Sequence, residues 1–379
     1  MRIGIEGQRL FRRKKHGMDI VTLELIRNLM EVDHVNEYSV FVKKDEDPCI
    51  KSTGNFNVIE LEKQKYPIWE QIMLPAAVKK AGCELLHCTA NTAPCFLSLP
   101  LVVTLHDIIF MEKLSLFRKG FSKYQKFGNI YRRMVVPGVL KKCSKIITVS
   151  ESEKQRISKF FKLEDSKIKT IYNGVSSHFN PITDTAELAR IKSNFKLPDR
   201  FVFFLGNTDP KKNTIGVLKA LSIFNKRSSE KLQLVLMDFD RKSLNKLISE
   251  IGDESLNDCI TLTGYVNNSE LPGIYSLSTL FLYTSLRESF GIPMLEAMAC
   301  GTPVITSNTS CMPEVAGNAA IFIDPYKPEQ IADAIALLLS DPEKCKQLVT
   351  LGFEQSKKFT WRNMATEVLD VYTEILSNK

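Results

Sequence analysis

The chain of 379 residues has a formal net charge of +8, 44% hydrophobic residues and 25% charged residues. This length exceeds one typical core and predicts two domains, and the composition excludes a disordered chain. No stretch approaches the roughly 18 to 20 apolar residues of a membrane span, and the segment after Met1 does not resemble a signal peptide. The nine cysteines lack regular spacing, which favours reduced thiols over a disulfide framework or a zinc site. We therefore expect a cytoplasmic protein.

The first half of the sequence alternates short apolar runs with helical patterns. Strands are predicted at 3–6, 38–42, 57–61, 85–87, 101–105, 145–149 and 168–172. Helices are predicted between them, for example at 18–30, where Val21, Leu25 and Leu29 share one face, and at 68–81. This alternation predicts a parallel sheet covered by helices on both faces.

Basic residues gather near the N-terminus at 9–15 and again at 118–133. The second group alternates basic with aromatic side chains: Phe117, Arg118, Lys119, Phe121, Lys123, Tyr124, Lys126, Phe127, Tyr131, Arg132 and Arg133. Such a surface favours peripheral contact with lipid head groups at the inner membrane face, or equally a solvated helix whose aromatics lie in the core. No nucleic-acid-binding motif accompanies it, so we expect no nucleic-acid partner.

The strand and helix alternation repeats in the second half, after a polar passage at 176–185. Strands are predicted at 201–205, 232–237, 259–262, 280–283, 303–306 and 320–323. We therefore expect an α/β protein of two Rossmann-like domains, with sheets that face each other across a cleft. The first domain would comprise residues 1–180 with a C-terminal helix at 360–379, and the second residues 181–359.

The segment R-E-S-F-G-I-P-M-L-E-A-M-A-C-G-T-P-V-I-T-S at 287–307 predicts a loop, a helix that begins at Pro293 and ends before Gly301, and a strand. Backbone N–H groups at such a helix N-terminus bind anions. Glu288 and Glu296 flank this point, which suits a ligand whose middle is a diphosphate, such as a sugar nucleotide. The helix macrodipole also favours a glutamate there without any ligand.

Three further candidate residues lie in the segments that follow predicted strands. Gly17 precedes the helix at 18–30, His106 follows the strand at 101–105, and Lys212 follows the strand at 201–205. A glycine permits close approach of a phosphate, a histidine hydrogen-bonds or moves protons near neutral pH, and a lysine neutralises a diphosphate leaving group. A turn glycine, a structural histidine and a solvated lysine are the alternatives. The missing G-x-G-x-x-G fingerprint disfavours a dinucleotide-dependent dehydrogenase.

These strings resemble a known family of enzymes. The segment 288–304 resembles the E-x7-E region of retaining GT-B glycosyltransferases of the glycosyltransferase 4 family (group 1), in its mannosyltransferase-like subgroup. V-V-T-L-H-D at 102–107, W-E-Q-I-M-L-P at 69–75 and G-N-T-D-P-K-K-N at 206–213 resemble further motifs of this family. The resemblance implies the GT-B fold, in which a C-terminal helix crosses back to the first domain.

The resemblance also implies an activity. It implies transfer of a hexose from a nucleotide diphosphate sugar, with GDP-mannose favoured, to an oligosaccharide or lipid-linked acceptor. The process would be the biosynthesis of surface polysaccharide such as lipopolysaccharide. No metal and no cofactor apart from the donor is implied.

The resemblance assigns roles to single residues. His106 and Glu288 would act at the transferred hexose, Glu296 would bind the ribose, and Lys212 the diphosphate. The other donor-binding residues would be Gly17, Asn207, Val266, Ser289, Phe290, Gly291 and Ile292. The sequence departs from the family pattern at three places: Asn207 where some members have arginine, Lys211 in place of the usual arginine, and a single glycine at 17–19.

Three alternatives remain from the sequence. Asp238-Phe239-Asp240 matches the D-x-D that holds a metal in the other major glycosyltransferase fold, but we interpret it as a loop. A sugar-nucleotide epimerase of the same fold would act without an acceptor. A catalytically silent scaffold protein of the same fold would release no nucleotide.

Overall fold

The computed structural model describes the backbone of residues 1–111 and 123–377, and the side chains of these residues except 123–126. The chain divides into two compact units. The first comprises Met1–Gly174 together with Trp361–Lys379, and the second comprises Val175–Thr360. Each contains one parallel sheet.

The first unit has a seven-stranded sheet of order β3-β2-β1-β4-β5-β6-β7. Its strands are β1 (Arg2–Glu6), β2 (Glu37–Lys43), β3 (Phe56–Leu61), β4 (Leu85–Cys88), β5 (Leu101–Thr104), β6 (Lys145–Thr148) and β7 (Ile168–Thr170). In the centre Ile3 pairs with Tyr38 on one side and with Leu85 on the other. These central strands are buried because helices cover both faces of the sheet.

Helices of the first unit connect these strands. Their bounds are Gly17–Val32, Tyr66–Ile68, Leu74–Lys80, Lys123–Lys142, Glu151–Phe161 and Trp361–Ser377, with a π-helical turn at Trp69–Met73 and 3-10 turns at Ile109–Met111 and Asp165–Lys167. The C-terminal helix packs against Gly17–Val32. Its Tyr372 hydroxyl lies 2.6 Å from Nδ1 of the buried His87. The last helix of the chain therefore belongs to the first unit, although the second unit separates it in sequence.

The second unit has a six-stranded parallel sheet of order β10-β9-β8-β11-β12-β13. Its strands are β8 (Phe201–Phe204), β9 (Gln233–Leu236), β10 (Ile260–Leu262), β11 (Leu280–Tyr283), β12 (Val304–Ser307) and β13 (Ala320–Ile323). Its helices are Thr185–Phe195, Thr214–Arg227, Arg241–Ile251, Leu271–Leu277, Ile292–Ala299, Met312–Ala316, Pro328–Ser340 and Pro342–Ser356, with 3-10 turns at Pro210–Lys212 and Glu254–Cys259. The Tyr275 ring lies 5.3 Å from that of Phe203 and 5.2 Å from that of Phe281, so aromatic packing fixes the helix Leu271–Leu277 on the sheet.

The α/β fold with two parallel sheets is confirmed, and each predicted strand overlaps an observed one. The predicted basic and aromatic surface lies partly outside the described residues, which lack Phe117, Arg118, Lys119 and Phe121 and the side chains of Lys123, Tyr124 and Lys126. Within the described part, Phe127 is exposed and Tyr131 is half-buried. None of the described helices is both long enough and apolar enough to cross a membrane.

Candidate active site

The loop between β11 and the helix Ile292–Ala299 places the first group of predicted residues in the second unit. Gly291 precedes this helix with a φ of +94°, and a Cβ atom there would approach Met294 Cε to 2.8 Å. Glycine is therefore required by the turn itself. The helix begins at Ile292, one residue before the predicted start at Pro293, and Gly301 follows its end with a φ of +77°.

Lys212 and Glu288 are brought together in this unit. Lys212 Nζ donates to Glu288 Oε1 at 2.6 Å, and the two side chains are 18% and 12% exposed. The same ammonium lies 5.3 Å from the centre of the Tyr283 ring. A cation and a carboxylate, predicted separately from two motifs, thus form one partly buried pair beside the helix N-terminus.

Backbone contacts hold the Glu288 loop in place. Ser310 Oγ and Cys311 Sγ donate to the carbonyl oxygen of Glu288, at 2.6 and 3.3 Å. The backbone N–H of Leu286 donates to the carbonyl of Lys211 at 2.7 Å, which joins this loop to the lysine loop. No sequence motif marks Ser310 and Cys311, because their role depends on the position of a loop after β12.

Glu296 lies in the second turn of the helix and is half-buried. Its Oε2 accepts a hydrogen bond from the Tyr275 hydroxyl at 3.2 Å. Burial raises the pKa of the Glu296 carboxyl to about 7, and the Tyr275 bond lowers it by less. In a large fraction of the molecules this carboxyl is therefore protonated at neutral pH. Tyr275 was not predicted, since it comes from a different helix.

The two asparagines of the lysine loop bond to backbone groups, one within this loop and one in other loops. Asn207 Oδ1 accepts from the backbone N–H of Asp209 at 2.8 Å, an Asx turn. Asn213 is the N-cap residue of the helix Thr214–Arg227, but its side chain makes no capping hydrogen bond. Its backbone has a φ of +59°, and its Nδ2 donates to the carbonyls of Thr284 and Pro325 at 3.2 and 2.7 Å. The side chain is drawn away from the helix because it ties together two other loops.

The other predicted donor residues of the second unit differ in exposure. The side chains of Val266 and Phe290 are buried, and the Phe290 ring packs 5.6 Å from that of Phe359. Their side chains therefore serve packing, which leaves only their backbones for a ligand. Ser289 and Ile292 are half-buried.

The Asp238-Phe239-Asp240 triplet lies in the loop after β9, as predicted. Asp240 caps the helix Arg241–Ile251 by accepting from the backbone N–H of Ser243 at 2.8 Å. Hydrogen bonds from the side chain and then the backbone of Ser243 lower the pKa of the Asp240 carboxyl. The backbone N–H of Asp238 donates to the carbonyl of Gly264 at 2.9 Å. Both aspartates thus take part in the geometry of this loop.

His106 and Gly17 lie in the first unit. His106 follows β5 and is buried, its Nε2 lies 2.9 Å from the carbonyl oxygen of Thr89, and burial lowers its pKa. A carbonyl only accepts, so Nε2 carries the proton and Nδ1 is the acceptor of a neutral ring. Asp107 Oδ1 accepts from the N–H of Ile109, which is a local turn bond. Gly17 begins the helix Gly17–Val32, and a Cβ there would meet no atom within 4 Å.

The two units match two family models in chain order. Residues 16–179 match Glycosyltransferase Family 4, and residues 186–355 match Glycosyl transferases group 1, so together the models match most of the chain. O-antigen chain mannosyltransferase B of Escherichia coli is 29% identical over 228 residues, which cover 60% of this chain. The chain spans about 60% of the length of that relative.

Solved structures share the fold over the whole chain. Sucrose-phosphate synthase from Thermosynechococcus elongatus superposes with a TM-score of 0.76 at 19% identity, and 100% of both chains is covered. Anabaena HepE, solved in complex with UDP and glucose, superposes with a TM-score of 0.72 at 17% identity over 98% of this chain and 99% of its own. The chain therefore belongs to the glycosyltransferases of the GT-B fold, with a family 4 domain followed by a group 1 domain.

Proposed function

We propose that this glycosyltransferase moves a hexose from a nucleotide diphosphate sugar to a saccharide or lipid-linked acceptor, with retention of configuration at the anomeric carbon. The observation that carries the proposal is the pair of Lys212 and Glu288 beside the N-terminus of the helix Ile292–Ala299. A cation and backbone N–H groups suit a diphosphate, and the adjacent carboxylate suits the hydroxyls of a sugar.

The donor would bind along this helix. Lys212 would neutralise the diphosphate as its bond to the hexose breaks, which is an electrostatic contribution to the transition state. The backbones of Ser289, Phe290, Gly291 and Ile292 would bind the phosphate oxygens, and Glu296 the ribose hydroxyls. Val266 would contact the nucleobase through its backbone. Asn207 would contact the donor as an uncharged residue. Its side-chain oxygen already accepts a hydrogen bond within its own loop, so the amide nitrogen would make this contact.

Donor binding would exchange partners within the ion pair. In the free protein Lys212 is bound to Glu288, whereas a diphosphate carries more negative charge than one carboxylate and would attract the ammonium. Glu288 would then accept hydrogen bonds from the hexose hydroxyls. The pair therefore keeps both groups oriented before the donor arrives.

His106 and Gly17 are the contributions of the first unit to the proposal. A neutral imidazole with an acceptor at Nδ1 suits a hydrogen bond from a hydroxyl of the hexose. Gly17 leaves the helix N-terminus accessible to a phosphate. No side chain is assigned as a covalent nucleophile, so the leaving phosphate would accept the acceptor's proton on the same face of the hexose.

We favour GDP-mannose as donor and surface polysaccharide such as lipopolysaccharide as product, because the relative from Escherichia coli is named as an O-antigen chain mannosyltransferase. The UDP and glucose of the HepE complex support the binding of a nucleotide sugar by this fold, with a different base and hexose. The proposal places the enzyme in the cytoplasm or peripherally at the inner membrane face, and it includes no metal or further cofactor.

Two measurements test the proposal. Thermal shifts with GDP, UDP and ADP and their sugar conjugates would identify the donor base, and Glu296→Ala should abolish the stabilisation. Release of the nucleoside diphosphate should require an acceptor. Release without acceptor would indicate the epimerase, and no stabilisation by any nucleotide would indicate the scaffold protein.

A further inference from the structure

A cavity of about 720 Å³ lies within the first unit, and none of the residues assigned above lines it. Arg9 and Arg12 of the loop after β1 line one part of it, and Lys65 and Arg132 line others. Its apolar lining includes Ile68 and Phe127, together with the rings of Tyr66 and Tyr131. This volume is within the range of pockets that hold a small organic ligand.

The two tyrosines of this cavity are fixed by one buried carboxylate. Glu70 lies in the π-helical turn Trp69–Met73, a feature common at functional sites. Its oxygens accept from the hydroxyls of Tyr66 at 2.9 Å and Tyr131 at 2.5 Å, and also from Thr92. The two rings meet edge to face with their centres 5.6 Å apart. The hydroxyls are bound to Glu70, which makes this wall rigid.

The charge of the cavity favours an anion. Four of its lining residues are cationic, and none of those described is aspartate or glutamate. The Arg9 guanidinium lies 5.5 Å from the centre of the Tyr66 ring, a cation–π contact. Arg132 donates to Asn129 Oδ1 at 3.1 Å. Both guanidinium groups are therefore held in place, and guanidinium groups suit phosphate geometry.

Apolar side chains continue from this cavity over the surface. Ile68 and Phe127, which line it, are 42% and 56% exposed. Ile72 follows Ile68 one turn later, while Ile130 and Met134 follow Phe127 on the same helix face, and these three are 65%, 47% and 76% exposed. An exposed apolar surface next to a cationic cavity suits a ligand with an anionic group on a hydrocarbon chain.

We propose that this cavity binds a lipid-linked diphosphate. Arg9, Arg12, Lys65 and Arg132 bind the diphosphate, and the hydrocarbon chain lies over the apolar surface that begins at Ile68 and Phe127. The proposal rests on the proposed function, in which a lipid-linked saccharide is one of two kinds of acceptor, and selects that kind. A concave cavity with fixed aromatic walls suits the head group of a single molecule. Contact with a flat membrane surface would require no such cavity.

Calorimetric titration with farnesyl diphosphate, below the concentration at which it forms micelles, tests the proposal. The wild-type chain should bind it at least about tenfold more tightly than farnesol or inorganic diphosphate. Farnesol lacks the diphosphate, and inorganic diphosphate lacks the hydrocarbon chain. Arg12→Ala and Lys65→Ala should each weaken binding about tenfold, the usual effect of losing one charge-assisted hydrogen bond. Lys79→Ala, at an exposed lysine outside the cavity, is the matched control and should bind as the wild type does.

Other outcomes would overturn the proposal. Equal affinity in Arg12→Ala, Lys65→Ala and wild type would show that the diphosphate binds elsewhere. If inorganic diphosphate bound as tightly as the lipid, the site would be a simple anion site. If farnesyl diphosphate did not bind but phosphatidylglycerol vesicles did, and the two variants lost this binding, the surface would be a membrane contact.

A second readout separates this proposal from the proposed function. Nucleotide-induced thermal shifts should be the same in Arg12→Ala, Lys65→Ala and wild type, because the donor residues are different. Failure of farnesyl diphosphate binding with intact nucleotide shifts would overturn only the lipid site. Absence of nucleotide shifts with intact farnesyl diphosphate binding would overturn only the proposed donor site.

Discussion

Lys212 and Glu288 are 76 positions apart in the sequence, and their charged groups lie 2.6 Å apart in the second unit. Both are mostly buried, so the pair is less screened by solvent than a surface ion pair. Each group satisfies the other in the free protein. A ligand that binds here must therefore offer both charges better partners, and a nucleotide sugar does so with its diphosphate and its hydroxyls.

Lys212→Ala should lower turnover by about 10²- to 10³-fold, the effect typical of removing one electrostatic contact to a developing negative charge. The measurement is acceptor-dependent release of nucleoside diphosphate. Lys211→Ala is the matched control, because its backbone carbonyl still accepts from Leu286 and its side chain forms no ion pair among those described. Comparable losses in both variants would contradict a specific role of Lys212.

Glu296→Gln should change how stability depends on pH. The pKa of about 7 in the folded protein is above the usual 4.5, so the folded state binds more protons than the unfolded state between these values. The stabilising contribution of the protonated carboxyl is fully present below pH 4.5 and is lost as the pH rises through about 7. Between pH 4.5 and 8 the free energy of unfolding of the wild type should fall by about 3 kcal/mol because of this group, whereas Glu296→Gln should not show this decrease.

Denaturant unfolding of both proteins at pH 5 and pH 8 measures this difference. The second unit should be followed by hydrogen exchange, because Trp69 and Trp361 both belong to the first unit and report on it. Identical pH slopes in wild type and variant would mean that Glu296 ionises normally. A bound nucleotide should reduce the slope, since ribose hydroxyls stabilise the carboxylate.

Gly291→Ala should destabilise the second unit by about 1–3 kcal/mol. The φ of +94° is unfavourable for any residue with a Cβ, and that atom would lie 2.8 Å from Met294 Cε. Gly17→Ala is the control, because no atom lies within 4 Å of its Cβ position and its backbone is helical. Gly17→Ala should therefore unfold like the wild type but bind the donor more weakly. Equal destabilisation of both variants in chemical unfolding would contradict this assignment.

The sequence predicted the sheets well, and the side-chain partners poorly. Runs of apolar residues located each strand, because parallel strands are buried on both faces and are therefore apolar along their length. The lysine and glutamate motifs were placed by local pattern, yet their direct contact depends on the packing of two loops 76 positions apart. Tyr275 and Ser310 carry no local signal, since each acts on a residue from another element. The partners of the Asn213 side chain carry no local signal either, because its amide binds two carbonyls far away in the sequence rather than its own helix.

His87 should make the first unit less stable in acid. It is fully buried between Tyr372 and Thr104, and burial lowers its pKa to about 3. The unfolded chain binds a proton at this histidine below about pH 6.5 while the folded chain does not. The stabilising contribution is therefore present above pH 6.5 and is lost progressively as the pH falls towards 3. At pH 5 this effect should lower the free energy of unfolding by about 2 kcal/mol.

Tryptophan fluorescence during urea unfolding at pH 5 and pH 7 measures this loss, because both tryptophans report on the first unit. His87→Asn should reduce the difference between the two pH values, whatever its absolute stability. His34→Asn, at an exposed histidine, should keep the wild-type difference. An unchanged difference in His87→Asn would mean that His87 titrates equally in the folded and unfolded states. The C-terminal helix would then be held by Tyr372 without dependence on a neutral imidazole.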